Sequence, residues 1–521
     1  MNAKLCFLLF LLVAHARAAT YDLIIRGGNV VDGTGGPAIR ADVAVKDGRI
    51  VAVGKVVGDA ACVVDAAGLV VAPGFIDVHT HVDKAHQQPL AENFVRMGVT
   101  TLVTGNCGGS VRDVAAYFRA LEATNVAINI ATLIGHGTVR REAMGGSFNR
   151  APTDAELAKM KAHVEQAMRD GAVGLSTGLI YLPGVFAKTD EIIELAKVAA
   201  AHGGIYATHM RNEGEKIFEA LEETFTIARG ARIPAEISHI KISSKARWGQ
   251  ADAVLTAIDR ARQQGLEVTQ DQYVYTASST GSSRLIPETA REGGKFKERL
   301  ADPKQKARII AQMKDNLRRG QRDDYSYAVI ASYKRDPSLN GLSIPEATKK
   351  VRGSASLDDQ IEFILDLELK GGASCIYHGM NEEDVQRFLR HPNTMVASDG
   401  GLRMPGEGLP HPRSYGNNAR VLARYVRELR LLGLEEAIRK MTSLPATTFR
   451  LTNRGVIRSG AWADLVVFDP TKVQDHATFN EPHQYATGFA WVFVNGVAVV
   501  KYDTHTGARP GRPLRHRAAG G

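Results

Sequence analysis

A chain of 521 residues is too long for one ordinary core and predicts several domains, or one large barrel with additions. Its composition, 44% apolar and 23% charged with 51 glycines, excludes disorder and fits many tight turns. The formal charge of +9 is dispersed, without a basic stripe interleaved with aromatics, which excludes a nucleic-acid partner.

The first elements in chain order are not structural. Lys4 precedes the apolar run Leu5 to Val13, and Ala16-Arg17-Ala18 follows as a small-x-small site. That pattern predicts a cleaved export signal over residues 1–18, the run being too short for a transmembrane anchor. The expected location is periplasmic or secreted. Export sits beside sparse cysteine usage: after Cys6 only Cys62, Cys107 and Cys375 remain, which is no disulfide framework.

From Tyr21 the chain reads as short β segments, DLIIRGGNVVDG, ADVAVKDGRIVAVG and CVVDAAGLVVAPG. The same texture returns in ADLVVFDP and FAWVFVNGVAVV, so residues 19–73 and 445–505 are expected to be β-rich. Between them, over 74–444, apolar runs alternate with helical patterns: TTLVTGN, AINIATLIG, GAVGLSTGLIY, GIYATHM, AEISHIKIS, LEVTQDQYVY and TMVASDG. Buried strands separated by helices indicate a parallel sheet, and about eight of them a closed (β/α)₈ barrel of the α/β class. An open doubly wound sheet is the alternative, but its Gly-rich phosphate turn is missing. A charged, helical stretch at about 284–352 interrupts the rhythm and reads as an inserted lid. Residues 506–521, rich in arginine with Pro and Gly, read as a basic flexible tail.

The apolar runs end in reactive residues: His79 and His81, Cys107, His209, His239, Tyr273 and Asp399. On a strand, residues i and i+2 face one side, so the His79 and His81 imidazoles can meet one ion. Asp77 is the expected carboxylate behind them. Singly, His209 and His239 read as hydrogen-bonded core residues and Cys107 as a small buried hydrophobe. Jointly, four histidines and a cysteine at the strand ends of one sheet point to a metal. One Cys with two His leaves an open zinc position, the catalytic arrangement. Asp399 is the candidate base; its alternative, a helix N-cap, is opposed by Gly400-Gly401.

PGFIDVHTH, GNCGGS, GLSTGLIYLPG, THMRNEG, SHIKIS, YVYTASSTG, ASDGG and HPRSYG, in this order, resemble the N-acyl-D-amino-acid deacylase (D-aminoacylase) branch of the amidohydrolase superfamily. The resemblance spans about Tyr21 to Val500. It implies a metal-dependent barrel with a small β-sandwich made from both chain ends. It implies a tight zinc at Cys107, His209 and His239. A weaker second metal would use His79, His81 and Asp399, with the Cys107 thiolate able to bridge. Asp399 would be the general acid/base, and Lys241, Tyr273 and Arg413 would grip the carboxylate of a small N-acyl amino acid. Counting from PGFIDVHTH, the fourth strand, GAVGLSTGLIY, has no lysine to bridge two metals, which favours the cysteine-type site over hydantoinase-type relatives. Where this branch has an acidic pair, the chain has Val82-Asp83-Lys84 and then His86, so His86 is expected at the outer metal position or the pocket rim. The activity implied is zinc-dependent hydrolysis of N-acyl-D-amino acids. Another amidase or dipeptidase of the superfamily is the alternative, and a non-catalytic relative a further one.

Overall fold

The computed structural model describes residues 20–516, so the export signal and the last five residues lie outside the described residues. Eight parallel strands form the barrel: β1 (Phe75–Asp77), β2 (Val99–Thr104), β3 (Asn129–Thr132), β4 (Gly174–Gly178), β5 (Ile205–His209), β6 (Ala235–Ile237), β7 (Val268–Gln272) and β8 (Thr394–Val396). Closure uses two short extensions. Ile134–Gly135, just past β3, pairs with β4, and Gly400–Gly401, past β8, pairs with Thr80–His81, past β1. Strands β2, β3 and β5 are short runs buried on both faces, as a parallel sheet covered by helices requires.

Helices between strands are set by local signals. Thr153 and Glu156 form a capping box before Asp154–Arg169, and Asp113 caps Val114–Thr124 by accepting from the Ala116 amide. Their apolar faces pack on the strands in one extended core that includes Phe94, Leu102, Phe118, Val164 and Leu195.

The two chain ends share one nine-stranded sheet. Its seam is Val70–Pro73 lying antiparallel to Leu465–Phe468, with Leu465 opposite Pro73. Leu23, Val43, Val71, Leu465 and Phe493 bury a core there, fixing the β domain to the start of β1.

The insertion is larger than the helical segment at 284–352. It is a small subdomain between β7 and β8, and its centre is an antiparallel sheet of Ala277–Gly281, Ser374–His378 and Ala328–Ser332. Helices Pro303–Arg319 and Leu357–Leu369 close over it around a separate core of Met313, Ile330, Ile364 and Cys375.

The C-terminal segment departs from the expectation of a flexible tail. Through His516 it is hydrogen-bonded along the bottom of the barrel: Gly511 N–H donates to Val126 O at 2.7 Å, Leu514 N–H to Ile130 O at 2.7 Å, and His516 N–H to Gly171 O at 2.9 Å. Cys62, Cys107 and Cys375 are all free thiols. No helix among the described residues is long and apolar enough to cross a membrane.

Candidate metal centre

The residues singled out at the ends of the runs meet above the C-terminal end of the barrel, where such barrels carry their chemistry. His79 follows β1, Cys107 follows β2, His209 closes β5, His239 follows β6 and Asp399 follows β8. Three of them hold left-handed backbone: Cys107 at φ 54°, His239 at φ 38° and Asp399 at φ 50°. Such strain in non-glycine residues is stored where geometry serves function. Around Cys107 it is enforced by glycines that permit close approach. A Cβ at Gly178 would stand 2.1 Å from the Cys107 carbonyl oxygen, and one at Gly105, whose φ is 78°, 2.2 Å from Leu133 O.

Cys107 Sγ is the hub. It lies 3.3 Å from His79 Nε2, 3.6 Å from His239 Nε2 and 3.7 Å from His209 Nδ1. A tetrahedral zinc with Zn–S of about 2.3 Å and Zn–N of about 2.0–2.1 Å separates sulfur from nitrogen by about 3.6 Å. The sulfur–nitrogen spacings therefore suit zinc. The donors that lie within 4.8 Å of one another around Cys107 are His79, Cys107 and His239, with His209 reaching Cys107 but outside that group. Burial opposes ionisation of Cys107, yet His79, His209 and His239 hold its thiol well below the ordinary value. A thiolate is the form that ligates metal.

Asp399 defines the second group. Its Oδ1 is 3.0 Å from His81 Nε2 and 3.7 Å from His79 Nε2, and its Oδ2 is 3.0 Å from Arg413 Nη1. Burial acts to raise its pKa, but Arg413, then His81 and His79, keep it an anion well below the usual carboxylate range.

The outer layer departs from the sequence expectation at two places. Asp77 does not hold the His79 ring: its Oδ1 accepts from the backbone N–H groups of His79 at 3.2 Å and Ser398 at 3.0 Å. Burial pushes its pKa up to about 7. The ring Nδ1 faces Asp271 Oδ2 at 3.3 Å instead, and Asp271 Oδ1 also accepts the His239 N–H at 2.9 Å. His86 takes no part in any ligand group among the described residues; it sits on the turn Ala85–Gln87 with its ring 6.3 Å from that of Tyr117.

Sequence reasoning also missed Glu213. Its Oε2 is 3.4 Å from His209 Nε2 and its Oε1 3.0 Å from His239 Nδ1, the ring atoms turned away from Cys107. Lys241 Nζ sits 2.5 Å from the same Oε1 and 2.8 Å from His239 Nδ1. With an ammonium already on its carboxylate, Glu213 orients two ligand imidazoles rather than holding a further ion.

Lys241, Tyr273 and Arg413 are brought together. The buried Tyr273 ring lies 4.5 Å from the Arg413 guanidinium and 5.8 Å from Lys241 Nζ. Each cation already has a carboxylate, Asp399 for Arg413 and Glu213 for Lys241, so an incoming anion shares them. Two cavities meet at this point, of about 430 Å³ and 380 Å³. Tyr181, also missed, lines both, its ring 5.0 Å from that of His209. The signal for it was an aromatic with a polar tip just past an apolar run, in GLIYLPG.

A closed parallel barrel with Cys, His and Asp donors gathered at its strand ends defines the class of protein: an amidohydrolase. The sequence profile of the amidohydrolase family matches residues 62–285 and 350–500. A D-aminoacylase of Alcaligenes xylosoxydans xylosoxydans is 39% identical over 97% of this chain and 100% of its own length. An N-acyl-D-glutamate deacylase of the same organism is 38% identical over 96% and 97%. The crystal structure of N-acyl-D-glutamate deacylase from Bordetella bronchiseptica, complexed with zinc and a phosphonate mimic of the tetrahedral intermediate, superposes with a TM-score of 0.82. It is 38% identical over 95% of this chain and 99% of that one. The chain belongs to the amidohydrolase family, in its N-acyl-D-amino-acid deacylase branch.

Proposed function

We propose that this protein hydrolyses the amide bond of N-acyl-D-amino acids, releasing a carboxylate and the free D-amino acid. The observation that carries the reading is Cys107 Sγ within 3.7 Å of three imidazole nitrogens, beside an Asp399 carboxylate 3.0 Å from His81. Relatives bearing deacylase names over nearly the full length support it.

Cys107, His209 and His239 would hold the tight zinc, and His79, His81 and Asp399 a weaker second metal. When bound, zinc supplies Lewis acidity toward the amide oxygen and lowers the pKa of water. The protein does the rest. Asp399 accepts the proton of the attacking water and returns it to the amide nitrogen as the C–N bond breaks. Lys241, Tyr273 and Arg413 fix the α-carboxylate, a planar anion suited to a guanidinium and a phenol. Tyr181, whose phenol burial keeps protonated, donates toward the carbonyl oxygen as charge builds there. Asp271 and Glu213 hold the ligand imidazoles in register.

The test is amine release by zinc-loaded protein from N-acetyl-D-methionine and its L epimer. Hydrolysis confined to the D epimer supports the reading; equal rates with both epimers, or no release from N-acetyl-D-methionine, N-acetyl-D-glutamate and N-acetyl-D-aspartate alike, overturn it. We also infer export, supported by Lys4, the run Leu5 to Val13 and Ala16-Arg17-Ala18. N-terminal sequencing of the mature protein checks it, the expected start falling just after Ala18.

A further inference from the structure

A cavity of about 710 Å³ lies at the end of the barrel opposite the metal centre, between the barrel floor, the β domain and the docked C-terminal segment. Val173, just before β4, and Gly203, just before β5, form part of its wall. Five arginines line it, and no acidic residue does.

Two of the five have a carboxylate behind the wall. Arg454 is paired with the buried Asp464, and Arg515 Nη1 lies 2.7 Å from Glu122 Oε1. Arg49, Arg450 and Arg512 have no carboxylate oxygen within 4.0 Å among the described residues. Three like charges facing one concave space raise its positive potential, which the low-dielectric walls focus.

These three side chains are held in place without a counter-ion. Arg49 bridges Trp462 through the backbone, stacks 4.1 Å over that indole and donates to Gly460 O at 2.8 Å. Arg512 reaches the same ring from the C-terminal segment, at 4.9 Å, and its side chain makes no hydrogen bond among the described residues. Arg450 donates to Gly203 O. A Cβ at Gly203 would stand 3.2 Å from Arg450 Nη1 and 3.5 Å from His516 Nε2, so those two side chains meet over a bare glycine. Stacking and backbone bonds thus pre-set guanidiniums whose other N–H donors remain for a ligand.

We propose that this floor cavity binds a phosphoryl group, free or carried on an ester, bridged by Arg49, Arg450 and Arg512. Guanidinium forks suit a tetrahedral oxyanion, and a phosphate monoester brings about two negative charges at neutral pH where a single carboxylate brings one. The volume beyond the phosphoryl group leaves room for the organic body of an ester. Arg49 belongs to the β domain, Arg450 follows the last barrel helix, Ser443–Thr448, and Arg512 lies on the C-terminal segment. An occupied site therefore ties these three parts together and stabilises the fold by mass action. It stands apart from the metal centre and does not depend on the deacylase reading.

Zinc-loaded wild type, Arg512→Met, Arg512→Lys and Arg450→Met are titrated by calorimetry at near-physiological salt. The probes are inorganic phosphate, glycerol phosphate and, as a dianion without phosphorus, succinate. Both phosphate probes should bind wild type more tightly than succinate does. Arg512→Met and Arg450→Met should each weaken them about 10-fold or more, the effect of a lost charge-assisted hydrogen bond, and Arg512→Lys should lose less. Quenching or enhancement of Trp462 emission, absent in Trp462→Phe, places the probe at the floor rather than at the metal. A tighter ester than free phosphate identifies an esterified ligand, and equal affinities identify the free anion. Zinc content and the unliganded melt of each variant confirm that its fold is kept, and phosphate should raise the wild-type midpoint more than that of Arg512→Met. No binding of either phosphate probe, affinities untouched in both methionine variants, or succinate bound as tightly as phosphate overturns the proposal.

Discussion

Asp271 Oδ2 lies 3.3 Å from His79 Nδ1, and the other oxygen of that carboxylate accepts the His239 N–H at 2.9 Å. One buried side chain thus braces the ring of one candidate ligand and the backbone of another, one from each of the two donor groups. Burial opposes its charge, but the pairing with His79 keeps it an anion below the ordinary aspartate value. Asp271→Asn should weaken zinc about 10- to 100-fold, as loss of an outer hydrogen-bond partner does. Competition with a chromophoric chelator reads this directly; unchanged affinity would remove Asp271 from the centre.

In the proposed reaction Asp399 acts on protons, not on the tight metal. Asp399→Asn should lower turnover about 10²- to 10⁴-fold while one zinc stays bound. Turnover and metal content measured on the same sample check it. Retained turnover with zinc in place would refute the assigned role.

The thiolate depends on a neighbour with no functional group. Because a Cβ at Gly178 would stand 2.1 Å from Cys107 O, Gly178→Ala must displace the Cys107 turn or the end of β4. The expected result is loss of zinc affinity larger than the loss of thermal stability. Zinc titration beside a thermal melt compares the two.

Much of this was legible in the sequence, and the reason is local. Several barrel strands are short apolar runs that end in a candidate functional residue, so TTLVTGNC or AEISH shows both the strand and the ligand candidate. What was not legible depends on contacts far apart in the chain. Asp271 and His79 are 192 residues apart, and nothing in TQDQ says which oxygen will find which ring. Asp77 was the nearer candidate by sequence, but its side chain turns to backbone N–H groups. The insertion's sheet escaped notice because AVIAS and SCIYH are short and pair antiparallel across a helical stretch. The terminal arginines suggested a free tail, and only the folded barrel reveals the backbone edge that Gly511 and Leu514 occupy.

That docked segment has its own consequence. A Cβ at Gly511 would lie 2.2 Å from Ile128 O, so Gly511→Val forces the segment off the barrel floor. Overpacking of this kind costs about 1–3 kcal/mol. A lowered midpoint of thermal unfolding with zinc content intact is the expected outcome.

The central claim is that one zinc on Cys107, His209 and His239 suffices for turnover, with His79, His81 and Asp399 offering a weaker position. Metal-depleted wild type, His81→Ala and Cys107→Ala are titrated with zinc while N-acetyl-D-methionine hydrolysis is followed. Activity should reach its plateau at one zinc per chain in wild type, survive at a reduced level with one zinc in His81→Ala, and vanish in Cys107→Ala. A plateau reached only at two zincs per chain, or a Cys107→Ala protein as active as wild type, would contradict it.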